Sequence, residues 1–152
     1  MQPRLVELQP FILSGISIRT SNSEQVQPSK ATIGGLWQRF MGQGLADKIP
    51  DKLPDSPLYG VYSGYESDAN GQFTATVAVA VSAATPAFDT IEVGGGRYLV
   101  FEARGAIPQS VIDAWGRIWP FFESSKEWKR RFAEDFEVYR NQDKVEIYIG
   151  IE

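Results

Sequence analysis

The chain of 152 residues contains no cysteine and no histidine. Without cysteine, no disulfide, iron–sulfur cluster or thiol nucleophile can form. Without histidine, a Ser-His-Asp triad cannot be built, and the commonest metal ligand and general base is missing. These two absences exclude the familiar nucleophilic and metal-dependent enzyme classes, and we expect neither a metal nor a cofactor.

Excess positive charge and long apolar runs are also lacking. The formal net charge of −4 disfavours a large phosphate-binding surface. No stretch approaches the ~20 apolar residues of a membrane-spanning helix, and Glu7 interrupts the N-terminus before a signal-peptide core is reached. We therefore expect a cytoplasmic protein that contacts neither nucleic acid nor a membrane directly.

Aromatic side chains are what the chain has in abundance. Four Trp, six Tyr and nine Phe residues make up 12% of the sequence, while charged residues make up an ordinary 22%. A chain of this length buries roughly 68–70% of its unfolded surface, so it can fold without disulfides or a structural metal. The aromatic excess is the first indication of a cleft for an amphipathic small molecule.

Alternating apolar residues and helical spacing predict two passes through one strand–helix–strand–strand pattern. In order, the predicted elements are strand 11–19, a helix from about Thr32, strands 58–62 and 73–82 joined by a turn at Asn70-Gly71, strand 97–103, a helix from Pro108, and strands 136–139 and 145–149. Residues 83–96 are predicted to be a linker, and 126–133 a short amphipathic segment. The basic cluster at 129–131 is interpreted as a solvated helix face.

The two passes match in spacing. Twenty-five residues separate Trp37 from Tyr62, and 24 separate Trp115 from Tyr139. One such unit cannot cover both faces of its own sheet, so two units are expected to share one. We predict a single α+β domain over residues 1–152, with pseudo-twofold halves of about 4–82 and 97–151. It has one antiparallel sheet, both helices on one face and a groove between the halves.

Glu137 is the strongest candidate for a binding residue. It lies within a predicted strand between Phe136 and Val138 and points to the opposite face. Its counterpart in the first half is Gly60, so one half offers space and the other a carboxylate. The functional hypothesis is an anionic anchor for a cationic ligand. The alternative is a solvated strand glutamate that pairs with a lysine across the sheet.

Aromatic residues near this position are predicted to supply ring surfaces for the same ligand. A cation gains roughly 0.5–2 kcal/mol over each well-placed ring. Tryptophans on helix stripes are more often core than ligand contacts, but the seam between the two helices favours the repeat equivalents Trp37 and Trp115. The predicted ligand-binding residues are Glu137, Tyr139, Tyr59, Tyr62, Trp37, Trp115 and Tyr98.

The order of four short motifs resembles the GyrI-like, AraC-type effector-binding domain family. The motifs are Gly35-Leu36-Trp37-Gln38-Arg39-Phe40, Tyr59-Gly60-Val61-Tyr62, Gly96-Arg97-Tyr98-Leu99-Val100-Phe101 and Phe136-Glu137-Val138-Tyr139. The chain is especially similar to stand-alone, multidrug-binding members of the kind found in integron cassettes. The resemblance runs from about Arg4 to Ile151.

The resemblance implies a tandem repeat with ligands bound in the groove between the halves. It implies that Glu137 occupies the position of the glutamate used by drug-binding members. Members fused to a helix-turn-helix domain regulate transcription; this chain starts at the effector domain, so regulation would need a separate DNA-binding or transcription protein.

Three functions follow as hypotheses. The first is the binding of lipophilic cations by a sensor or sequestering protein. The second is a hydrolase that uses Glu137 and a tyrosine as an acid–base pair, as the resemblance implies for some relatives. The third is an interaction with another protein, such as a topoisomerase.

Overall fold

A computed structural model describes residues 3–21, 33–67 and 71–152. The elements in chain order are β1 (Arg4–Leu8), β2 (Phe11–Ser21), α1 (Ile33–Gly42), a 3₁₀ helix (Leu45–Lys48), β3 (Leu58–Ser63), β4 (Gln72–Ala80), β5 (Asp89–Val93), β6 (Gly96–Arg104), α2 (Gln109–Ser124), β7 (Arg130–Asn141) and β8 (Lys144–Ile151). The predicted helix start at Thr32 and the Asn of the predicted Asn-Gly turn lie outside the described residues.

The strands form one antiparallel sheet in the order β1-β6-β8-β7-β3-β4-β2-β5. The unit β2-α1-β3-β4 has the same order as β6-α2-β7-β8, and the two units join through β3 and β7 at the centre of the sheet. There Gly60 lies directly opposite Glu137. The predicted α+β fold with a pseudo-twofold repeat is confirmed, while the exact limits of the halves stay a prediction.

Two edge strands were not predicted. Strand β1 pairs with β6 of the other half, and β5, which falls inside the predicted 83–96 linker, pairs with β2. Both strands are short and mostly exposed or half-buried, so they lack the strict apolar alternation that identifies a strand in sequence. Their pairing partners lie far away in the chain, which local pattern cannot reveal.

Strand alternation divides the core between two faces of the sheet. On the helix face, Val77 and Val79 pack beneath α1, while Ile147 and Ile149 pack beneath α2. The opposite face, called the back face below, carries a cluster centred on Phe136 with residues of both halves. This division decides which residues share a site.

The helices bury narrower stripes than their sequence patterns predicted. Leu36 and Phe40 of α1 are buried, as are Val111, Ala114 and Ile118 of α2. Helical spacing also predicts Met41, Ile112 and Trp119 on these apolar stripes, but these residues are exposed by 59%, 59% and 40% respectively. Helix α2 continues past Pro120 to Ser124. Neither described helix combines the length and apolar character of a bilayer span.

Gly15 marks a close backbone approach between β2 and β4. A Cβ atom there would overlap the carbonyl oxygen of Val77, whereas a Cβ at Gly35 in α1 meets nothing within 4 Å. We expect Gly15→Ala to lower the free energy of unfolding by about 3 kcal/mol, because the strands must separate. The matched change Gly35→Ala should raise it by about 0.5–1 kcal/mol. Urea denaturation of both variants measures these free energies of unfolding. Equal changes in the two variants would contradict the close approach of β2 and β4 at Gly15.

Candidate functional site

The candidate site is built where the two halves meet on the helix face. Glu137 of β7 points toward the helices from the centre of the sheet, opposite Gly60 of β3. A Cβ atom at Gly60 would lie 2.8 Å from Oε1 of Glu137 and 3.2 Å from Cζ2 of Trp37. The missing side chain at position 60 therefore makes room for the carboxylate. This pairing of a gap with a charge is the one predicted from the repeat.

Three neutral donors hold the carboxylate. The Tyr139 hydroxyl donates to Oε1 at 2.7 Å. Oε2 accepts the Tyr62 hydroxyl at 3.0 Å and the Trp115 indole N–H at 2.7 Å. The donors come from both halves, because Tyr62 lies on β3 while Trp115 and Tyr139 lie on α2 and β7. The cluster thus ties the two repeats together.

The carboxylate is buried without a positive partner. Glu137 is 1% exposed, and among the described residues no ion pair includes it. Burial raises the pKa of Glu137, while its hydrogen bonds to Trp115, Tyr139 and Tyr62 act to lower it. Burial and the nearby carboxylate raise the pKa values of Tyr62 and Tyr139, so both phenols stay protonated as donors. The alternative of a solvated glutamate paired with a lysine is therefore wrong.

Aromatic rings surround this carboxylate. The Trp37 ring of α1 lies 4.6 Å from the Tyr139 ring, edge to face. The Trp115 ring of α2 lies 5.7 Å from the Tyr62 ring, also edge to face, and 6.1 Å from the ring of Trp119. Trp37 and Trp115 are each half-buried. Both helices thus contribute a tryptophan that contacts the cluster and also reaches the surface.

Tyr59 and Tyr98 do not join this cluster, which corrects their predicted place in the cleft. Tyr59 lies three residues from Tyr62 on the same strand, and strand alternation sends residues at odd spacing to opposite faces. On the back face its ring lies 6.0 Å from Phe11. Tyr98 is fully buried on that face and donates to the Gly94 carbonyl at 2.7 Å.

A second buried carboxylate, Asp135, lies two residues before Glu137 on the same face. It accepts from Arg130 at 2.7 Å, from the Tyr65 hydroxyl at 2.6 Å and from the Gly150 amide at 2.9 Å. Unlike Glu137, it is neutralised. Sequence reasoning missed this pair because it placed Arg130 on a solvated helix face. The structure starts β7 at Arg130, and the side chain is only 7% exposed.

The described residues contain no cluster of three or more potential metal ligands. The chemistry available at the site is therefore that of one carboxylate, two phenols and two indoles. Such a site can hold a positive charge over aromatic rings, or move a proton to and from Glu137.

Replacing Glu137 with glutamine is expected to stabilise the fold at neutral pH, because an amide avoids burying a charge and its carbonyl oxygen can accept the hydrogen bonds that Tyr62 and Trp115 donate to Oε2 in the wild type. The expected rise in Tm is roughly 2–4 °C, equivalent to about 1 kcal/mol in a chain of this length. The raised pKa means that the folded protein holds the Glu137 proton more tightly than the unfolded chain. Wild-type stability should therefore fall relative to the variant as the pH rises from the unfolded pKa through the folded one.

Thermal unfolding from pH 4 to pH 8 tests this dependence. The matched control is Glu123→Gln, which removes an exposed carboxylate from α2. If the difference in Tm between wild type and Glu137→Gln did not change with pH, the raised pKa of Glu137 would be contradicted.

Comparison with known proteins identifies the family of this chain. A family model described as integron-associated effector-binding protein matches residues 4–151. YobU of Bacillus subtilis (strain 168), named as a transcriptional regulator, is 28% identical over 148 residues, which cover 91% of this chain and 90% of YobU.

Solved structures give the same fold. An integron cassette protein from the mobile metagenome of Vibrio cholerae is 32% identical, with a TM-score of 0.86 over 100% of this chain and 97% of that one. The protein SAV2435, bound to tetraphenylphosphonium, is 24% identical, with a TM-score of 0.83 over 100% of this chain and 94% of that one. The chain belongs to the family of integron-associated effector-binding proteins.

Proposed function

We propose that the protein binds lipophilic organic cations between its two helices, with Glu137 as the anionic anchor. The observation that carries this proposal is a carboxylate buried at 1% exposure among aromatic rings with only neutral donors around it. A buried charge without a partner costs free energy until a counter-charge arrives. A cation that reaches Glu137 recovers that cost, whereas a neutral molecule of the same shape does not.

The rings supply affinity that depends little on ligand shape. Each aromatic face attracts a cation by roughly 0.5–2 kcal/mol, and more when water is excluded. Trp37 and Trp115 provide such faces from opposite helices, and Tyr62 and Tyr139 flank the carboxylate between them. Apolar surface on the ligand replaces water against the same rings. The site therefore favours bulky organic cations over small metal ions, which prefer several oxygen ligands.

Entry to the carboxylate requires movement of the tryptophans. The Trp115 indole occupies one side of Oε2, so an incoming cation takes the place of this hydrogen bond. Ile112, Trp115 and Trp119 lie along one stripe of α2, and the outer two are exposed. This stripe forms an apolar path from the surface to Glu137. We propose that ligands enter along it as Trp115 turns aside.

Related proteins support the ligand class. SAV2435, which shares the fold, is bound to tetraphenylphosphonium, a lipophilic cation. The matching family is described as effector-binding, and YobU is named as a regulator. We propose that this chain acts as a sensor or as a sequestering protein. A sensing role would work through a separate DNA-binding or transcription protein.

Hydrolysis of a small electrophile is the second candidate. Hydrogen bonds of 2.7 and 3.0 Å join Glu137 to two protonated phenols, an arrangement in which the carboxylate is a general base and a tyrosine the acid. Turnover of a panel of p-nitrophenyl esters, lost in Glu137→Gln, would establish it. A panel that gives no turnover would count against hydrolysis.

Titration with tetraphenylphosphonium tests the anchor. We expect micromolar binding by tryptophan fluorescence, weakened about 30- to 100-fold in Glu137→Gln because a charged contact is lost. Glu123→Gln, which also removes one negative charge, should bind like wild type. Affinity of the wild type should rise with pH through the raised pKa of Glu137 and stay constant in Glu137→Gln. Equal affinity for neutral triphenylphosphine oxide would contradict the charge argument.

The ring contribution is tested by one substitution on each face. Trp37→Leu should weaken tetraphenylphosphonium binding by about 2- to 30-fold, the loss of one cation–ring contact. Tyr59→Phe, on the back face, should change it by less than about two-fold. Isothermal titration calorimetry gives both values. If Tyr59→Phe weakened the affinity for tetraphenylphosphonium more than Trp37→Leu did, the ligand would bind on the back face instead.

A further inference from the structure

The back face carries a cavity of about 340 Å³ that the proposed function does not use. Its volume lies at the lower end of the range for small-molecule sites. The described residues that line it come from both repeats, and all except Arg140 are uncharged; they include Phe11, Tyr59, Ala80, Phe136 and Tyr148.

Four aromatic rings line this back-face cavity. Phe136 and Tyr148 stack with ring centres 4.6 Å apart and planes 10° from parallel. Phe11 meets Phe136 edge to face at 5.5 Å, and Tyr59 lies 6.0 Å from Phe11. Such a set of flat surfaces suits a planar apolar ligand body.

Arg140 is the one charged residue among the described residues that line this cavity. Arg140 donates through Nε to Glu146 at 2.6 Å, and Arg4 binds the other oxygen of Glu146 at 2.9 Å. One carboxylate therefore lies between two arginines. The Arg140 side chain remains 43% exposed, and a guanidinium has more N–H donors than this one bond uses. Its positive charge also acts on the Tyr59 hydroxyl, where it lowers a pKa that burial raises.

The cavity is separate from the Glu137 cluster. Phe136 and Val138 are the chain neighbours of Glu137 in β7, and they point to the back face while Glu137 points to the helices. The sheet lies between the two sites. The first site presents a carboxylate without a cation, and the second presents an arginine that is paired with Glu146 but still 43% exposed.

We propose that the back-face cavity binds a small aromatic carboxylate, with its ring against the partly exposed Phe11 and Tyr59 and its carboxylate on Arg140. Guanidinium groups bind carboxylates through paired, charge-assisted hydrogen bonds. A carboxylate that competes with Glu146 for Arg140 leaves Glu146 paired to Arg4. The site thus accepts an anion without leaving a buried charge alone.

The test uses 2-naphthoate and calorimetric titration of the full chain. For a ligand of this size we expect a Kd between about 10 μM and 1 mM. Arg140→Gln should weaken binding about ten-fold, and Arg140→Lys, which keeps the charge, should weaken it less. Neutral 2-naphthalenemethanol should bind about ten-fold more weakly than 2-naphthoate. Tm measurements confirm that the variants fold.

Two further variants separate this site from the other. Ala80→Leu fills the cavity without changing charge and should abolish 2-naphthoate binding. Glu137→Gln should leave 2-naphthoate affinity unchanged within about two-fold, and saturating tetraphenylphosphonium should not displace it. Absence of naphthoate binding, displacement by tetraphenylphosphonium, or equal binding by Arg140→Gln would each overturn the proposal. None of these outcomes decides whether Glu137 binds cations.

Discussion

The central constraint in this protein is the burial of the Glu137 carboxylate, which accepts hydrogen bonds from three neutral donors. Tyr62 comes from the first repeat and Trp115 from the second, so the same anion connects a central strand of one half to a helix of the other. Neutral donors satisfy the lone pairs of a carboxylate but leave its charge uncompensated. The fold therefore retains a site at which positive charge is favoured.

The pseudo-twofold arrangement creates this site and its asymmetry makes it single. The central strands β3 and β7 place Gly60 and Glu137 at equivalent positions facing each other. Two glutamates would repel each other across the pair, and two glycines would leave no charge. With one glutamate and one glycine, the Glu137 carboxylate fills the space that is left by the missing side chain of Gly60. Asp135 lies two residues away and is equally buried, but its charge is compensated by an ion pair with Arg130.

Because side chains alternate along each strand, the two faces of the sheet carry different kinds of residue. Odd-numbered residues of β7 from Asp135 to Tyr139 face the helices, and the even-numbered residues between them face the back cluster. One strand therefore contributes a carboxylate to one side and aromatic and aliphatic walls to the other. The exposed Arg140 adds opposite charge at the end of the same strand. The two proposed sites are thus separated by a single layer of backbone.

The sequence by itself determined the repeat, the α+β class and both helices, because periodicity and matched spacing are local properties. It offered Glu137 as a candidate and left open whether this side chain is buried or solvated. Pairing Gly60 with Glu137 also followed from the repeat alone. Strand alternation in the sequence already separates Tyr59 from Tyr62, but only the tertiary structure decided which of the two shares a face with the Glu137 carboxylate. It also decided the edge strands β1 and β5 and the burial of Arg130. The edge strands depend on pairing between residues far apart in the chain, and local pattern carries no information about such partners. Arg130 is buried because β7 begins at this residue, where the sequence pattern predicts a helix.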